Sequence, residues 1–129
     1  QVGIRTTNED TLGVNIIDAR EVHETGPAAV VDKIKSILGD NKTYLTFDID
    51  GLDPKLCPNT GTPVPGGFDL TQVNYLFKMV IQSGRRIIGA DLNEVSPGST
   101  EWDANVGARA LYQLACMIGV SIGELSFNA

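Results

Sequence analysis

Apolar residues recur along the chain with two different periods, and the alternation of those periods outlines its elements. Val30, Ile34, Ile37 and Leu38 follow an i, i+4, i+7, i+8 pattern after Gly26-Pro27. The spacing predicts a helix, with Pro27 in a first turn that does not need its N–H and Gly39 at the stop. Val73, Leu76, Phe77, Val80 and Ile81 repeat the pattern and end at Gly84. Asp69 and Thr71 are N-cap candidates there, and Gln72 stands at capping-box distance from Asp69. A third stripe, Val106, Ala110, Leu111, Leu114, Met117 and Ile118, predicts a long helix capped by Thr100.

Short apolar runs separate these stripes and read as strands: Val2 to Arg5, Val14 to Ile17, Tyr44 to Asp50, and Ile87 to Val95. Tyr44-Leu45-Thr46-Phe47 is nearly continuous in apolar or β-branched character, which predicts a strand covered by helices on both faces. Alternating strands and helices give the α/β class with a parallel sheet. Right-handed crossovers then bring the loops that follow the strands to one edge of that sheet.

Composition narrows the function. The chain has 129 residues, 42% of them hydrophobic and 20% charged, enough for a core and too few charges for a disordered polymer. Ten Lys and Arg against sixteen Asp and Glu leave a net charge of -6, which argues against a nucleic-acid surface and suits a small cationic partner. Two cysteines cannot staple a small secreted fold, and no signal peptide or membrane span is evident, so a cytoplasmic chain is expected. Gln1-Val2-Gly3-Ile4-Arg5 lacks an initiator Met and reads like the middle of a strand, as in a piece of a longer protein.

Candidate chemistry collects where strands end. In Thr46-Phe47-Asp48-Ile49-Asp50-Gly51-Leu52-Asp53-Pro54, strand alternation puts Asp48 and Asp50 on one face, with Cα atoms about 6.5 Å apart. They fall at the carboxyl end of a parallel strand, where open α/β sheets bind ligands. Two carboxylates there repel unless a cation neutralises them, and all-oxygen ligands suit Mn²⁺ or Mg²⁺. The alternative is that one Asp caps a turn and the other is solvated. Asp53, before Pro54, reads as an Asx-type structural residue. Glu94, just ahead of the Pro97 turn, is placed on the same edge. It either binds a guanidinium through two parallel hydrogen bonds or forms a strand-end salt bridge. Asp91 reads as deeper and engaged with backbone groups.

The remaining candidates are weaker. The loop Pro58 to Gly67 either lines a pocket or simply connects elements. His23 reads as a solvated loop residue, Cys57 and Cys116 as inert thiols, and Trp102 as a packing residue.

Three ordered segments, Thr46 to Pro54, Thr60-Gly61-Thr62-Pro63 with Gly66-Gly67, and Asn93-Glu94-Val95-Ser96-Pro97, resemble signatures of the ureohydrolase family of arginases and agmatinases. Gly3-Ile4-Arg5-Thr6 and the last helix from Asp103 are similar to agmatinase-like members, so the resemblance spans nearly the whole chain. It implies a three-layer α/β/α fold of arginase/deacetylase-like type, with residues 1–129 as the C-terminal portion of a single domain. It also implies a binuclear Mn²⁺ centre, with Asp48 bridging both metals and Asp50 binding one, Glu94 holding the substrate guanidinium and Thr62 lining the substrate site. The expected reaction is hydrolysis of a guanidino compound, agmatine to putrescine and urea, by a trimer or hexamer of the whole enzyme. The family's further ligands lie in Gly-Gly-Asp-His and Asp-Ala-His-x-Asp segments that these residues do not include. The chain alone is therefore expected to be inactive. Two other readings are a haloacid-dehalogenase-type phosphatase, from the apolar run before Asp48-Ile49-Asp50, and a non-catalytic assembly or binding domain of the same fold.

Overall fold

The computed structural model describes residues 1–6 and 12–126. In chain order the elements are β1 (Val2–Ile4), β2 (Ile17–Asp18), α1 (Ala19–Thr25), α2 (Pro27–Leu38), β3 (Thr43–Asp48), α3 (Leu70–Gln82), β4 (Ile87–Asn93) and α4 (Trp102–Ser121), with a 3-10 turn at Ile49–Gly51. Both strand pairings, β1 with β2 and β3 with β4, are parallel, so the α/β class read from the sequence holds. Among the described residues the four strands form two separate two-stranded sheets.

The core lies between these sheets and the helices. Ile17, Val22, Val30 and Val31 join Phe47, Leu76, Val106, Ala110 and Leu114 in one buried cluster. Phe47 of β3 meets Phe77 of α3 edge to face, with ring centroids 5.7 Å apart. Along β3 the side chains alternate, Leu45 and Phe47 turning inward while Tyr44, Thr46 and Asp48 are exposed. Among the described residues the helices therefore cover one face of β3, not the two that its apolar run predicts.

The three predicted helices form, and their ends follow local chemistry. Gly26, at φ 81°, closes α1 with an N–H donated to the Val22 carbonyl and hands the chain to Pro27 at the start of α2. The Asp69 N–H donates to Gln72 Oε1 at 2.8 Å, the reciprocal half of a capping box at α3. At α4, Thr100 lies one residue ahead of the N-cap Glu101 and accepts only a long 3.4 Å bond from Trp102 N. Ile37 and Leu111, counted in the apolar stripes, are exposed.

All four strands depart from the expected bounds. β1 stops at Ile4, one residue early, and β4 at Asn93, two residues early, so that Glu94 lies just past its strand. The other two departures have local causes. The second is displaced to Ile17–Asp18, because Asp18 is also the N-cap of α1, its Oδ1 accepting from Glu21 N at 2.7 Å. The third stops at Asp48, two residues early. Ile49 and Leu52 are both fully buried and three residues apart, a spacing that a single helical turn satisfies and a strand cannot. Among the described residues, no helix is long and apolar enough to cross a membrane.

Gly67 fixes how the loop returns after this turn. Phe68 N donates to the Gly51 carbonyl at 3.1 Å and Asp53 N to the Phe68 carbonyl at 3.0 Å. A Cβ on Gly67 would overlap the Leu52 carbonyl and Asp53 N, both backbone atoms that cannot swing away. Gly67→Ala is therefore expected to cost about 1–3 kcal/mol of stability. A urea midpoint within error of the parent chain would contradict this packing.

Candidate functional site

The carboxyl ends of β3 and β4 bring the acidic candidates together. Asp48 pairs in register with Asn93, so Glu94 follows immediately beside it on the common edge. Asp50 is not on the strand. It sits in the 3-10 turn, and the shared strand face expected for Asp48 and Asp50 is replaced by an extended Asp48 followed by a turning Asp50.

The loop from Pro58 to Gly67 ties the backbone of Glu94 to the carboxylate of Asp50 and is more than a connector. Thr62 Oγ1 donates to Asp50 Oδ2 at 2.6 Å, while Thr60 Oγ1 donates to the Glu94 carbonyl at 3.0 Å. Gly61, between them, leaves room for Glu94: a Cβ there would stand 3.2 Å from Glu94 Oε2. Glu94 adopts φ 63°, a left-handed conformation that costs a non-glycine residue of order 1 kcal/mol or more. Four ion pairs form among the described residues, Arg20–Glu24, Lys33–Glu21, Lys35–Asp32 and Lys55–Asp69, and Glu94 is in none of them.

Residues that sequence reasoning passed over hold this loop. Asp103 is fully buried at the start of α4 and accepts from Asn59 N at 2.9 Å and from Asn59 Nδ2 at 2.8 Å. Arg5 reaches from the end of β1 to the turn, donating to the Gly51 carbonyl at 3.2 Å and to the Asp50 carbonyl. Neither contact has a local sequence signal, since 44 to 46 residues separate the partners.

The other candidates take structural roles. Asp53 accepts from Lys55 N at 3.2 Å and Gly66 N at 3.0 Å, the Asx arrangement expected of it. Asp91 does not serve backbone groups. On the exposed sheet face it accepts from Thr46 Oγ1 at 2.6 Å and Asn93 Nδ2 at 2.7 Å, and also bonds the Tyr44 hydroxyl. Thr46, then Asn93 and Tyr44, hold its carboxyl below the ordinary range. His23 lies on α1, not in a loop, with Nε2 3.1 Å from the Gly66 carbonyl. Burial, with Asp103 and Asp50 nearby, pushes the Cys57 thiol up to about 11, so at neutral pH it stays protonated and donates to the Ile49 carbonyl. Trp102 is half exposed, and its indole N–H donates to the Lys55 carbonyl.

A family model of the arginase family matches residues 1–117. The chain belongs to the arginase family. Over 117 residues this arginase-family chain is 43% identical to an agmatinase of Chromobacterium violaceum, spanning 90% of itself and 35% of that relative. An agmatinase of Proteus mirabilis is 42% identical over 114 residues, 88% of this chain and 37% of its own length. Among solved structures, a hypothetical agmatinase from Burkholderia thailandensis superposes with a TM-score of 0.81 at 45% identity, covering 91% of this chain and 37% of that one. Proclavaminate amidino hydrolase from Streptomyces clavuligerus superposes at 0.83 with 30% identity, covering 94% and 42%. The chain thus has a partial arginase-like fold and spans little more than a third of the length of the agmatinases it matches. Family membership sets aside the phosphatase reading of Asp48-Ile49-Asp50.

The Asp53 contacts carry a pH signature. The Lys55 N–H and then the Gly66 N–H hold its carboxyl below the usual range. A depressed folded pKa contributes stability above the unfolded value near 3.9, and that contribution is lost as pH falls through the lower folded value. Asp53→Asn is expected to lower Tm at neutral pH, with the gap to the parent narrowing below about pH 4. A gap that stays constant from neutral pH down to pH 2 would show that the ionised carboxylate contributes nothing here.

Proposed function

We propose that this chain is the C-terminal portion of an agmatinase-type ureohydrolase that releases urea from a guanidino compound, agmatine first among them. One observation carries the reading. Glu94 stands at the carboxyl end of β4 beside Asp48, and a single threonine-bearing loop ties its backbone to Asp50. The sequence match to agmatinases supports the same reading.

Each residue has a separate task. Glu94 pairs with the planar guanidinium through two parallel hydrogen bonds, fixing the plane of the electrophilic carbon. Thr62 lines the same mouth and orients the Asp50 carboxylate through its hydroxyl, leaving the other oxygen available. The acidic edge favours the cationic guanidinium over the neutral urea formed from it.

Mn²⁺ is the proposed cofactor. Asp48 and Asp50 are hard oxygen donors of the right kind, but among the described residues no group of three or more His, Cys, Asp or Glu side chains could hold an ion. The chain therefore supplies part of a ligand set, and the rest belongs to the portion it does not span. A divalent cation in such a centre lowers the pKa of water toward neutrality.

A chimeric enzyme tests this, with residues 1–117, those the family model matches, replacing the corresponding stretch of the Chromobacterium violaceum agmatinase. With Mn²⁺ it is expected to release urea from agmatine, while the 129-residue chain alone releases none. Asp48→Asn in the chimera should abolish turnover. Glu94→Gln should lower kcat/KM by an amount equivalent to about 2–5 kcal/mol, the cost of breaking a desolvated charge pair. A folded chimera without turnover, or one indifferent to Glu94→Gln, would leave only an assembly role for the chain.

A further inference from the structure

Among the described residues two polar side chains are buried, Asp103 and Thr60, and one short series of contacts joins both to Glu94. Asp103 accepts from Asn59 N at 2.9 Å and from Asn59 Nδ2 at 2.8 Å. The next residue, Thr60, donates its hydroxyl to the Glu94 carbonyl at 3.0 Å. A carboxylate taken fully out of water is costly unless donors compensate it, and Asn59 supplies two. Meeting both donors at once fixes the orientation of Asn59 as well as its position.

The same side of α4 also holds the chain just beyond Glu94. Asp103 and Gly107 are four residues apart and lie on one face of the helix. Gly107 receives Val95, the residue after Glu94: a Cβ there would stand 3.0 Å from both Val95 methyl carbons. Gly98, three residues further on, lies against Asn59, whose side-chain amide a Cβ at Gly98 would overlap. The segment leaving β4 is therefore held by α4 at Val95 and by Asn59 at Gly98. Between that segment and the strand, Glu94 keeps φ 63°, a conformation that a non-glycine residue holds only when its surroundings over-determine it.

We propose that Asp103 is a positioning residue for Glu94. Its carboxylate fixes Asn59, Asn59 and Thr60 fix the backbone at position 94, and that backbone aims the Glu94 side chain at the guanidinium. Asp103 is fully buried and meets no substrate itself. The role rests on the agmatinase-type reading, which assigns Glu94 its partner.

The test uses the same chimera with Mn²⁺ and agmatine. Asp103→Asn keeps the shape of the side chain but turns an amide N–H₂ against one of the two Asn59 donors. It is expected to lower kcat/KM by about tenfold or more. In a Glu94→Gln chimera the same substitution should cost no more than about twofold, because no carboxylate is left to aim. Asn59→Ala, at an exposed position, removes one donor and should show the same dependence on Glu94, so it carries the comparison should Asp103→Asn fail to fold. Exchanging the pair, Asn59→Asp with Asp103→Asn, again matches a donor to each acceptor and should recover the parent kcat/KM to within about threefold.

Amide exchange read by mass spectrometry follows the geometry without turnover. The segment around Asn59 and Thr60 should exchange about tenfold faster in Asp103→Asn or Asn59→Ala, with α2 unchanged, and return to the parent rate in the exchanged pair. Losses of the same size with and without the Glu94 carboxylate, or unchanged exchange at Asn59 and Thr60, would overturn the positioning role while an active parent chimera leaves the agmatinase-type reading standing. A folded parent chimera that releases no urea would overturn both.

Discussion

Ile49 and Leu52 are fully buried on either side of a turn that carries Asp50, and most of the site geometry follows from satisfying that one requirement. To place both side chains in the same core, the backbone leaves the strand after Asp48 and closes a 3-10 turn, with Leu52 N donating to the Ile49 carbonyl at 3.0 Å. The turn frees the Gly51 carbonyl to receive Phe68 N and Arg5, so the returning loop and the end of β1 are fixed by the same event. Cys57, itself fully buried, closes the underside by donating to the Ile49 carbonyl. A polar residue at either apolar position would release the turn, the loop and the orientation of Asp50 together.

The loop carries this local geometry across to the second strand. Asp103 fixes Asn59, Thr60 holds the backbone of Glu94, and Thr62 holds the carboxylate of Asp50. The backbone of Glu94 and the carboxylate of Asp50 are thus held by hydroxyls spaced two residues apart on one short segment. Such preorganisation is what a site needs when its reacting groups must stay fixed within fractions of an ångström.

Periodicity made α2, α3 and α4 legible, because each buries a long stripe and ends at recognisable punctuation. The seven residues of α1 did not register, since only Ala19 and Val22 are buried, although Asp18 and Glu21 stand at capping-box spacing. The common edge of Asp48 and Glu94 was legible because parallel topology forces it. The turn at Asp50 was not, because alternation and a three-residue apolar spacing compete there, and only tertiary burial decides between them. Arg5, Asn59 and Asp103 act on partners more than 40 residues distant, and no single-sequence pattern encodes such pairings.

Glu94 has a backbone that glycine would adopt with less strain. Selection for thermal stability alone would therefore drift toward glycine at this position and delete the carboxylate in doing so. The left-handed conformation makes position 94 a place where backbone strain and the proposed binding role pull the sequence in opposite directions. A variant library sorted only for soluble expression would tend to recover folded chains that have lost the carboxylate proposed to hold the guanidinium.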